Sequence, residues 1–233
     1  MRINRYLASC GVGSRRACDS LVEQGRVTLN GRTAKIGDAV DPDKDQVLLE
    51  GHPVARENLV YLLLNKPRNV LCTNHDPDGR RTIHDILPPM GERVYHAGRL
   101  DRNSEGLLMV TNDGDLANLL THPRHSFTKE YEVTLERPLT EVEVGRVLEG
   151  VMNEGEHLGA VSCRPAGPPG GYLVELSEGR NRHIRRMFDT LGVAVRRLRR
   201  IRIGPLTIAG LGPGEWRHLR ADEVERLFRL GSA

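Results

Sequence analysis

The chain has 233 residues, of which 38% are hydrophobic and 28% charged. This composition is ordinary for a soluble globular protein with one large domain, or a small and a medium one. Aromatic residues make up only 4%, which argues against a surface that stacks many successive bases on open rings. No apolar run approaches membrane-spanning length, so we expect no membrane segment.

Four cysteines lie far apart, without the paired spacing of a metal site or the density of a disulfide scaffold. Reduced thiols in a cytoplasmic protein are therefore expected. His122 and His125 are three residues apart, but Pro123 between them indicates a loop, and two histidines without further ligands are weak evidence for a metal site. The sequence predicts no metal and no cofactor, and the absence of any coiled-coil pattern makes a monomer the default.

Positive charge is concentrated in two stretches. Residues 1–32 contain six arginines against Asp19 and Glu23, and residues 177–202 contain nine against Glu178 and Asp189. These stretches carry formal charges of +4 and +7, so the remainder must carry −8 to give the net charge of +3. Acidic partners at helical spacing are mostly missing from both. This pattern predicts two surfaces that attract polyanions such as nucleic-acid phosphates.

The first fifty residues predict two helices and a hairpin. A helix is predicted over Ile3–Cys10, and Ser14 is a good N-cap for a second helix that reaches Gln24. Asn30-Gly31 is the strongest short hairpin signal, with the return strand predicted to run through Ala34, Ile36 and Val40. The charged residues at 56–58 are predicted to form a linker, which divides the chain into a domain over residues 1–57 and another over 58–233.

The second domain mixes strands and helices without a regular βαβ period. This predicts an α+β fold with a mixed, largely antiparallel sheet and flanking helices. Turn residues predict an exposed loop over residues 72–82. Predicted strands cover residues 59–64, 94–100, 107–111, 130–135, 157–163, 172–176 and 193–203, and predicted helices cover 116–120, 140–148, 182–190 and 221–230.

The N-terminal unit resembles the small RNA-binding module shared by a small-subunit ribosomal protein and several RNA-modifying enzymes. In that family an arginine-rich two-helix face lies on structured RNA. The basic positions that match are Arg2, Arg5, Arg15, Arg16 and Arg26.

Three blocks of the second domain resemble the rRNA pseudouridine synthases of the small-subunit and related large-subunit type. The blocks are GRLDRNSEGLLMVTNDG from Gly98, Lys129-Glu130-Tyr131, and EGRNRHIRRMF from Glu178. They occur in the order expected for the family, whose catalytic domain has a central cleft. One departure is His183, which stands where the family usually has glutamine.

The resemblance implies a role for each matched side chain. Asp101 would be the catalytic carboxylate, Arg185 its salt-bridge partner, and Tyr131 the ring that stacks on the target uracil. An aspartate in an apolar pocket would tend to protonate, and a cation a few ångströms away reverses that tendency. From the residues alone, a phosphate-binding arginine, a core tyrosine and an ordinary turn aspartate are the commoner alternatives.

Further residues are predicted to contact the substrate or its RNA. Arg99 would help to hold the space that the flipped base leaves, with a structural salt bridge as an equal alternative. Lys129 is expected at a phosphate or in solvent, and Leu206 either lines the pocket or lies in the core. Arg182 is predicted to bind substrate. The arginines of the basic stretch that are predicted to bind RNA are Arg180, Arg186, Arg196 and Arg197.

Together these patterns predict an enzyme that isomerises a specific uridine of ribosomal RNA to pseudouridine. One alternative is a non-catalytic RNA-binding or ribosome-assembly factor with a degenerate synthase domain. Another is a hydrolase that cleaves a glycosidic bond in RNA and leaves an abasic product. The sequence does not identify the modified uridine or the ribosomal subunit.

Overall fold

The computed structural model describes residues 1–125 and 127–231, and these ranges contain six α-helices and fifteen strands. The fold is α+β, as predicted. The chain forms two compact units, one built mainly from its first 60 residues and the other from most of the remainder. The predicted second domain extends to residue 233, so its last two residues lie outside the described part. No helix in the described ranges is long and apolar enough to cross a membrane.

The first unit consists of residues 1–60, 89–94 and 112–114. Its two predicted helices are confirmed, and the Ser14 hydroxyl caps the second by accepting a hydrogen bond from the Ala17 amide at 3.2 Å. Four short strands pair in the order β2-β1-β3-β4. The elements are α1 (Ile3–Ser9), α2 (Arg15–Glu23), β1 (Val27–Leu29), β2 (Arg32–Thr33), β3 (Val47–Leu49) and β4 (His52–Pro53).

The predicted hairpin forms, but its return strand is shorter than expected. Asn30 and Gly31 have φ of 50° and 78°, the left-handed geometry of a two-residue hairpin turn. The return strand β2 ends at Thr33, so the prediction that it continues through Ala34, Ile36 and Val40 is wrong. A turn replaces it, because the Lys35 amide donates to the Asp38 carboxylate at 2.9 Å. Ala34 and Val40 contribute to the core of the unit instead.

The second unit is built on one large sheet. Its long path of strands has the order β11-β12-β8-β13-β7-β5-β15, with β6 on β7 and β14 on β13, while β9 and β10 form a separate hairpin. The strands are β5 (Tyr61–Lys66), β6 (Tyr95–Ala97), β7 (Glu105–Thr111), β8 (Lys129–Leu135), β9 (Val151–Asn153), β10 (Glu156–Leu158), β11 (Ser162–Pro165), β12 (Gly171–Leu176), β13 (Val195–Ile203), β14 (Leu206–Thr207) and β15 (Trp216–His218). The helices are α3 (Gly114–Thr121), α4 (Glu141–Glu149), α5 (His183–Thr190) and α6 (Ala221–Gly231), with single 3₁₀ turns at Ile83–Asp85 and Pro123–His125.

Strand β13 joins two parts of this sheet, since it runs antiparallel to β8 and parallel to β7. The parallel contact requires a glycine at position 106, because a Cβ there would lie 2.2 Å from the Arg200 carbonyl oxygen. One core cluster includes Phe188 of α5 and Val133 of β8, and another includes Leu116 of α3 and Leu107 of β7. The sheet is therefore mixed at one position and antiparallel elsewhere along its path.

The predicted strand over residues 157–163 is wrong as a single element. β10 ends at Leu158 and pairs with β9, whereas β11 begins at Ser162 and pairs with β12. Gly159 lies between them, and a Cβ there would meet the Gly150 Cα at 3.2 Å. The alternating apolar pattern continued across two strands that belong to different sheets.

Candidate active site

A cavity of about 370 Å³ in the second unit brings together five of the predicted site residues, one of which is Arg180. Asp101 and Arg99 line it from the segment before β7, Tyr131 from β8, and Arg182 from the segment before α5. This volume lies within the usual range for pockets that hold small molecules, about 300–1,000 Å³. The side chains come from three separate parts of the sequence.

The segment that carries Asp101 is held by backbone hydrogen bonds on both sides. The Ser104 amide donates to the Asp101 carbonyl at 3.0 Å, which closes a turn before β7 begins. The Asn69 amide donates to the Arg102 carbonyl at 2.8 Å. These bonds hold the backbone from which the Asp101 side chain projects at the cavity.

Apolar side chains form much of the cavity wall. Tyr131 is only 7% exposed and lies in the middle of β8, where it pairs with Val174 of β12 and Arg200 of β13. Leu176, Ile184 and Leu198 also line the cavity. A planar heterocycle would be partly desolvated against these side chains, and the Tyr131 ring offers an aromatic surface for stacking.

The charge next to Asp101 differs from the prediction. The guanidinium Nη1 of Arg182 lies 3.9 Å from the Asp101 carboxylate Oδ2, with the two side chains 51% and 33% exposed. Arg185 Nη1 instead donates a hydrogen bond to the Val195 carbonyl at 3.0 Å. Both Arg185 and Asp101 lie in the described part of the chain. The predicted salt bridge between Asp101 and Arg185 is therefore absent from the described structure. The Nη1 donor of Arg185 is hydrogen-bonded to the β13 backbone instead.

Arg185 still lies within the electrostatic field of the cavity. Burial lowers the pKa of its guanidinium below the ordinary value, and the Arg182 cation lowers it further, while the Asp101 carboxylate opposes this. Its Nε is buried without a hydrogen-bond partner in the described structure. Arg185 is thus a half-buried cation near the carboxylate, and its buried Nε has unused donor capacity.

Lys66 is a fully buried cation in the same region. Its side chain is fully buried, and the ammonium donates to the carbonyls of Val70 at 2.8 Å and Pro67 at 3.0 Å. Burial lowers its pKa, and the charges of Cys72 and Asp101 oppose that effect. The sequence predicted only a strand over residues 59–64 just before Lys66, because nothing in the local pattern marks a lysine as buried.

Three other residues from the sequence analysis, Leu206, Lys129 and His183, differ in their surroundings. Leu206 is buried in a core cluster and does not line the cavity, in agreement with its core alternative. Lys129 lies on the same face of β8 as Tyr131, and its pKa is lowered to about 8 by burial and then by the Arg200 cation. His183 lines the cavity, with Nε2 3.1 Å from the Gly159 carbonyl and a pKa lowered chiefly by burial.

Most arginines of the arginine-rich stretch have carboxylate partners in the fold, although acidic residues at helical spacing are mostly missing from the sequence. Strand pairing brings Glu132 of β8 opposite Arg199 of β13, and their ion pair is 3.2 Å long. Other pairs also join distant parts of the chain, and only Arg180 has in addition a partner close in sequence, Glu178. The distant pairs include Arg180 with Glu156, Arg196 with Glu136, Arg197 with Glu105, and Arg202 with Glu130 and Glu175.

Arg186 is the most strongly held of the predicted RNA-binding arginines. Its side chain is 16% exposed and forms an ion pair with Glu156. It also donates to the side-chain and backbone oxygens of Asn153 at 2.8 and 3.0 Å. These acceptors occupy guanidinium donors that a phosphate would need. Through the same contacts, Arg186 links α5 to the β9–β10 hairpin.

The N-terminal arginines differ in their surroundings. Arg2, Arg15 and Arg16 are exposed and form no ion pair within the described part of the chain. Arg26 is also exposed, but its Nε donates to Glu50 at 2.8 Å. Arg5 is half-buried. Three predicted RNA contacts of this unit therefore carry charge without an ion-pair partner among the residues that the structure describes.

The structure adds cavity residues that were not predicted as site residues. Ser104 and Asn181 line the cavity, together with Leu176 and Leu198. Ser104 and Asn181 belong to the family-like blocks, which could have pointed to them. The two leucines could not have been found from local patterns, because only the pairing of β8, β12 and β13 brings them beside Tyr131.

Comparison with known proteins identifies the family. The model of the RNA pseudouridylate synthase family matches residues 60–190, and the model of the S4 domain matches residues 1–47. The chain belongs to the RNA pseudouridine synthase family. All residues that line the cavity around Asp101, except Leu198, lie within the segment matched by the synthase model.

Full-length relatives and a solved structure agree with this assignment. An RNA pseudouridine synthase of Aquifex aeolicus, named as uncharacterised, is 38% identical over 98% of this chain and 94% of its own length. The large-subunit pseudouridine synthase B of Vibrio cholerae is also 38% identical, over 98% of this chain and 74% of its own. A crystal structure of a pseudouridylate synthase matches with a TM-score of 0.70 and 30% identity, covering 97% of this chain and 99% of that one.

Proposed function

We propose that this protein converts a uridine of ribosomal RNA to pseudouridine, with Asp101 as the catalytic carboxylate. The main support is the cavity that joins Asp101, Tyr131 and Arg182, three side chains from separate parts of the sequence. Relatives named as large-subunit synthases support ribosomal RNA as the substrate. Which uridine is modified is left to experiment.

The reaction is an isomerisation that needs no second substrate. The bond from ribose C1′ to uracil N1 breaks, the uracil rotates, and a new bond forms from C1′ to C5. The proton on C5 is lost, and N1 gains one. A carboxylate beside the sugar and base can act as nucleophile or stabilise positive charge on the sugar, and Asp101 is the residue proposed for this role.

Tyr131 and Arg99 are proposed to hold the flipped nucleotide. Extruding a base from its stack costs roughly a few kcal/mol, and a pocket that stacks the base offsets part of that cost. The Tyr131 ring lies at the apolar wall, which suits stacking on uracil. Arg99 and Arg182 are proposed to contact the nucleotide from the polar side of the cavity.

Affinity for RNA is proposed to come mainly from residues 1–57, and chemistry from residues 58–233. Arg2, Arg15 and Arg16 have exposed side chains without carboxylate partners in the described chain, with Arg5 and Arg26 as further predicted contacts. Arg180, Arg196 and Arg197 are proposed as weaker contacts, because each shares its charge with a glutamate. Arg186 is proposed as the weakest RNA contact, because its donors already bind Glu156 and Asn153.

We further propose that the protein acts in the cytoplasm as a monomer without a cofactor. Light scattering on the purified protein tests the monomer, for which the expected mass is 26.0 kDa. Activity that persists after dialysis against a chelator would support catalysis without a metal ion. Loss of activity that a divalent cation restores would contradict it.

Tritium release tests the proposed chemistry. Ribosomal RNA carrying tritium at C5 of uridine should lose label with the wild-type protein and retain it with Asp101→Asn. Asp43→Asn is the matched control, since Asp43 is exposed and has only a 3.7 Å contact with Arg56. Absence of release with any ribosomal RNA would favour the non-catalytic alternative. An abasic product would favour the hydrolase, because isomerisation leaves the mass of the strand unchanged.

A further inference from the structure

A second cavity, which we call the basic cavity, lies in the second unit. Its volume is about 600 Å³, and it shares no lining residue with the cavity around Asp101. Arg202 lines it and forms an ion pair with Glu130 of β8. Because successive side chains of a strand point to opposite faces of the sheet, Glu130 and Tyr131 project from opposite sides of β8. Arg202 therefore reaches the basic cavity on the side of β8 opposite to Tyr131.

The charged residues that line the basic cavity are positive. Arg124, Arg202 and Arg226 line it, and no acidic residue of the described chain does. The charge of Arg202 is offset, because it forms ion pairs with Glu130 and Glu175. Arg124 and Arg226 are exposed and form no ion pair among the residues that the structure describes. The cavity therefore offers an anion two cations that the described fold leaves unpaired.

The positions of the carboxylates on α6 explain why Arg226 is unpaired. The acidic side chains that could reach it along the helix lie three and four positions before it, at Glu223 and Asp222. Glu223 accepts hydrogen bonds from both Nη groups of Arg217, at 2.7 and 2.8 Å. Asp222 accepts one from Arg220 Nε at 3.0 Å. Both carboxylates are engaged elsewhere, so the Arg226 guanidinium remains available at the cavity.

The Arg124 guanidinium is held at one nitrogen and open at the other two. Its Nε donates a hydrogen bond to His125 Nε2 at 2.9 Å, so this ring nitrogen is unprotonated. The ring proton then lies on Nδ1, which donates to the Gly231 carbonyl at 2.9 Å. The two Nη groups form no hydrogen bond within the described part of the chain. Arg124 can therefore donate to a phosphate without losing a contact of the fold.

Apolar side chains form another part of the wall. Phe127 and Leu230 line the basic cavity, and Leu230 is 49% exposed. Phe127 packs against the backbone of Gly204, where a Cβ would lie 2.5 Å from the ring. The volume is in the range of pockets that hold small molecules, about 300–1,000 Å³. Cations beside apolar groups suit a nucleotide, whose phosphate is anionic and whose base presents a π-face.

We propose that the basic cavity is a second binding site, which takes a nucleotide phosphate through Arg124 and Arg226. The phosphate belongs either to an RNA strand or to a free nucleotide, since the same charge-assisted hydrogen bonds recognise both. The site is separate from the cavity around Asp101 and does not require catalysis there. Binding should depend on these two side chains more than on equally exposed arginines elsewhere.

Substitution of the two unpaired arginines tests the proposal. The cavity variant is Arg124→Gln with Arg226→Gln, and the matched control is Arg146→Gln with Arg229→Gln. The control arginines are also exposed, form no ion pair in the described chain and do not line the cavity. Both double variants lose two positive charges, so a difference between them reports the place of the charge and not its amount.

Two ligands distinguish the source of the phosphate. Adenosine 5′-monophosphate is measured by isothermal titration calorimetry, and ribosomal RNA by filter binding at several salt concentrations. If RNA carries the phosphate, the cavity variant should bind RNA at least about threefold more weakly than the control, with a slope of log affinity against log salt shallower by about 0.7–0.9. If a free nucleotide carries it, the dissociation constant for the monophosphate should rise at least about tenfold, with RNA affinity equal to that of the control.

A variant that keeps every arginine gives an independent test, which decides if the cavity variant fails to fold. Leu230→Glu places a carboxylate at the cavity, and Leu148→Glu on α4 is its control, because the two leucines are 49% and 45% exposed. Leu230→Glu should weaken binding of the same ligand at least about threefold, and Leu148→Glu should leave it within about 1.5-fold of the wild type.

Equal binding of both ligands by the cavity variant and its control would overturn the proposal, as would equal effects of the two glutamates. A wild-type protein without activity on any RNA would contradict the proposed function and leave these binding comparisons unaffected.

Discussion

The two arginine-rich regions share a high arginine content but have different surroundings in the fold. In the N-terminal unit, Arg2, Arg15 and Arg16 are exposed on short elements without carboxylate partners in the described chain. On strand β13, Arg197, Arg199 and Arg202 each form an ion pair with a glutamate. Charge density along a sequence therefore does not measure the charge that is available to a ligand.

The difference follows from secondary structure. A short helix at the surface exposes its outer face, and only its own neighbours at three and four positions can pair with it. A central strand lies between two others, so side chains from remote parts of the chain stand opposite it. Four substitution experiments test this contrast, beginning with the largest expected effect.

Arg186→Gln should lower the free energy of unfolding by about 2 kcal/mol, because hydrogen bonds to a charged group are lost at a mostly buried side chain. Urea denaturation at neutral pH measures this change. Arg180→Gln serves as the control, since its glutamate partners are solvent-exposed and its loss should cost less than about 0.5 kcal/mol. Equal losses of unfolding free energy in Arg186→Gln and Arg180→Gln would mean that the burial of Arg186 adds nothing to its contribution to stability.

The double substitution Arg15→Gln and Arg16→Gln should weaken RNA binding about tenfold or more at moderate salt. The slope of log affinity against log salt should become shallower by about 1.5–2, as two phosphate contacts are lost. Filter binding at several salt concentrations measures both quantities. An unchanged slope would show that neither arginine contacts a phosphate.

The double substitution Arg197→Gln and Arg199→Gln removes the same charge from β13. RNA affinity should fall less than about threefold, because Glu105 and Glu132 already offset these cations. The free energy of unfolding should fall by less than about 1 kcal/mol, the usual range for exposed pairs. A loss of affinity as large as that of the N-terminal pair would remove the distinction between the two regions.

Lys129 should make stability depend on pH. Its pKa is lowered to about 8 in the folded protein, whereas an unfolded lysine titrates near 10.4. Between these values the unfolded chain binds more protons, so this group makes the free energy of unfolding rise with pH. Relative to Lys129→Met, the wild type should gain a few tenths of a kcal/mol from pH 7.5 to 9.5, since partial exposure of the side chain reduces the effect. Urea denaturation of both proteins at the two pH values measures it, and parallel pH dependences would contradict the lowered pKa.

The sequence predicted most elements and much of the candidate site, and the failures share one cause. Local signals such as Ser14 and Asn30-Gly31 identified a helix start and a turn, because their physics involves only neighbouring residues. The burial of Lys66, the division of residues 157–163 between two sheets, and the glutamate partners of β13 depend on strands far apart in the chain. The choice between Arg182 and Arg185 as the partner of Asp101 depends on which of them the β13 backbone engages.

The central claim is that Asp101 performs chemistry on an RNA bound mainly elsewhere. The most direct test is the amount of pseudouridine formed per RNA-bound protein in a single turnover, for the wild type and Asp101→Asn under conditions where both are saturated with RNA. We predict that the wild type approaches complete conversion and that Asp101→Asn is slower by a factor of at least about 10³, with a dissociation constant within about twofold. Conversion by Asp101→Asn at a rate close to the wild type would contradict the account.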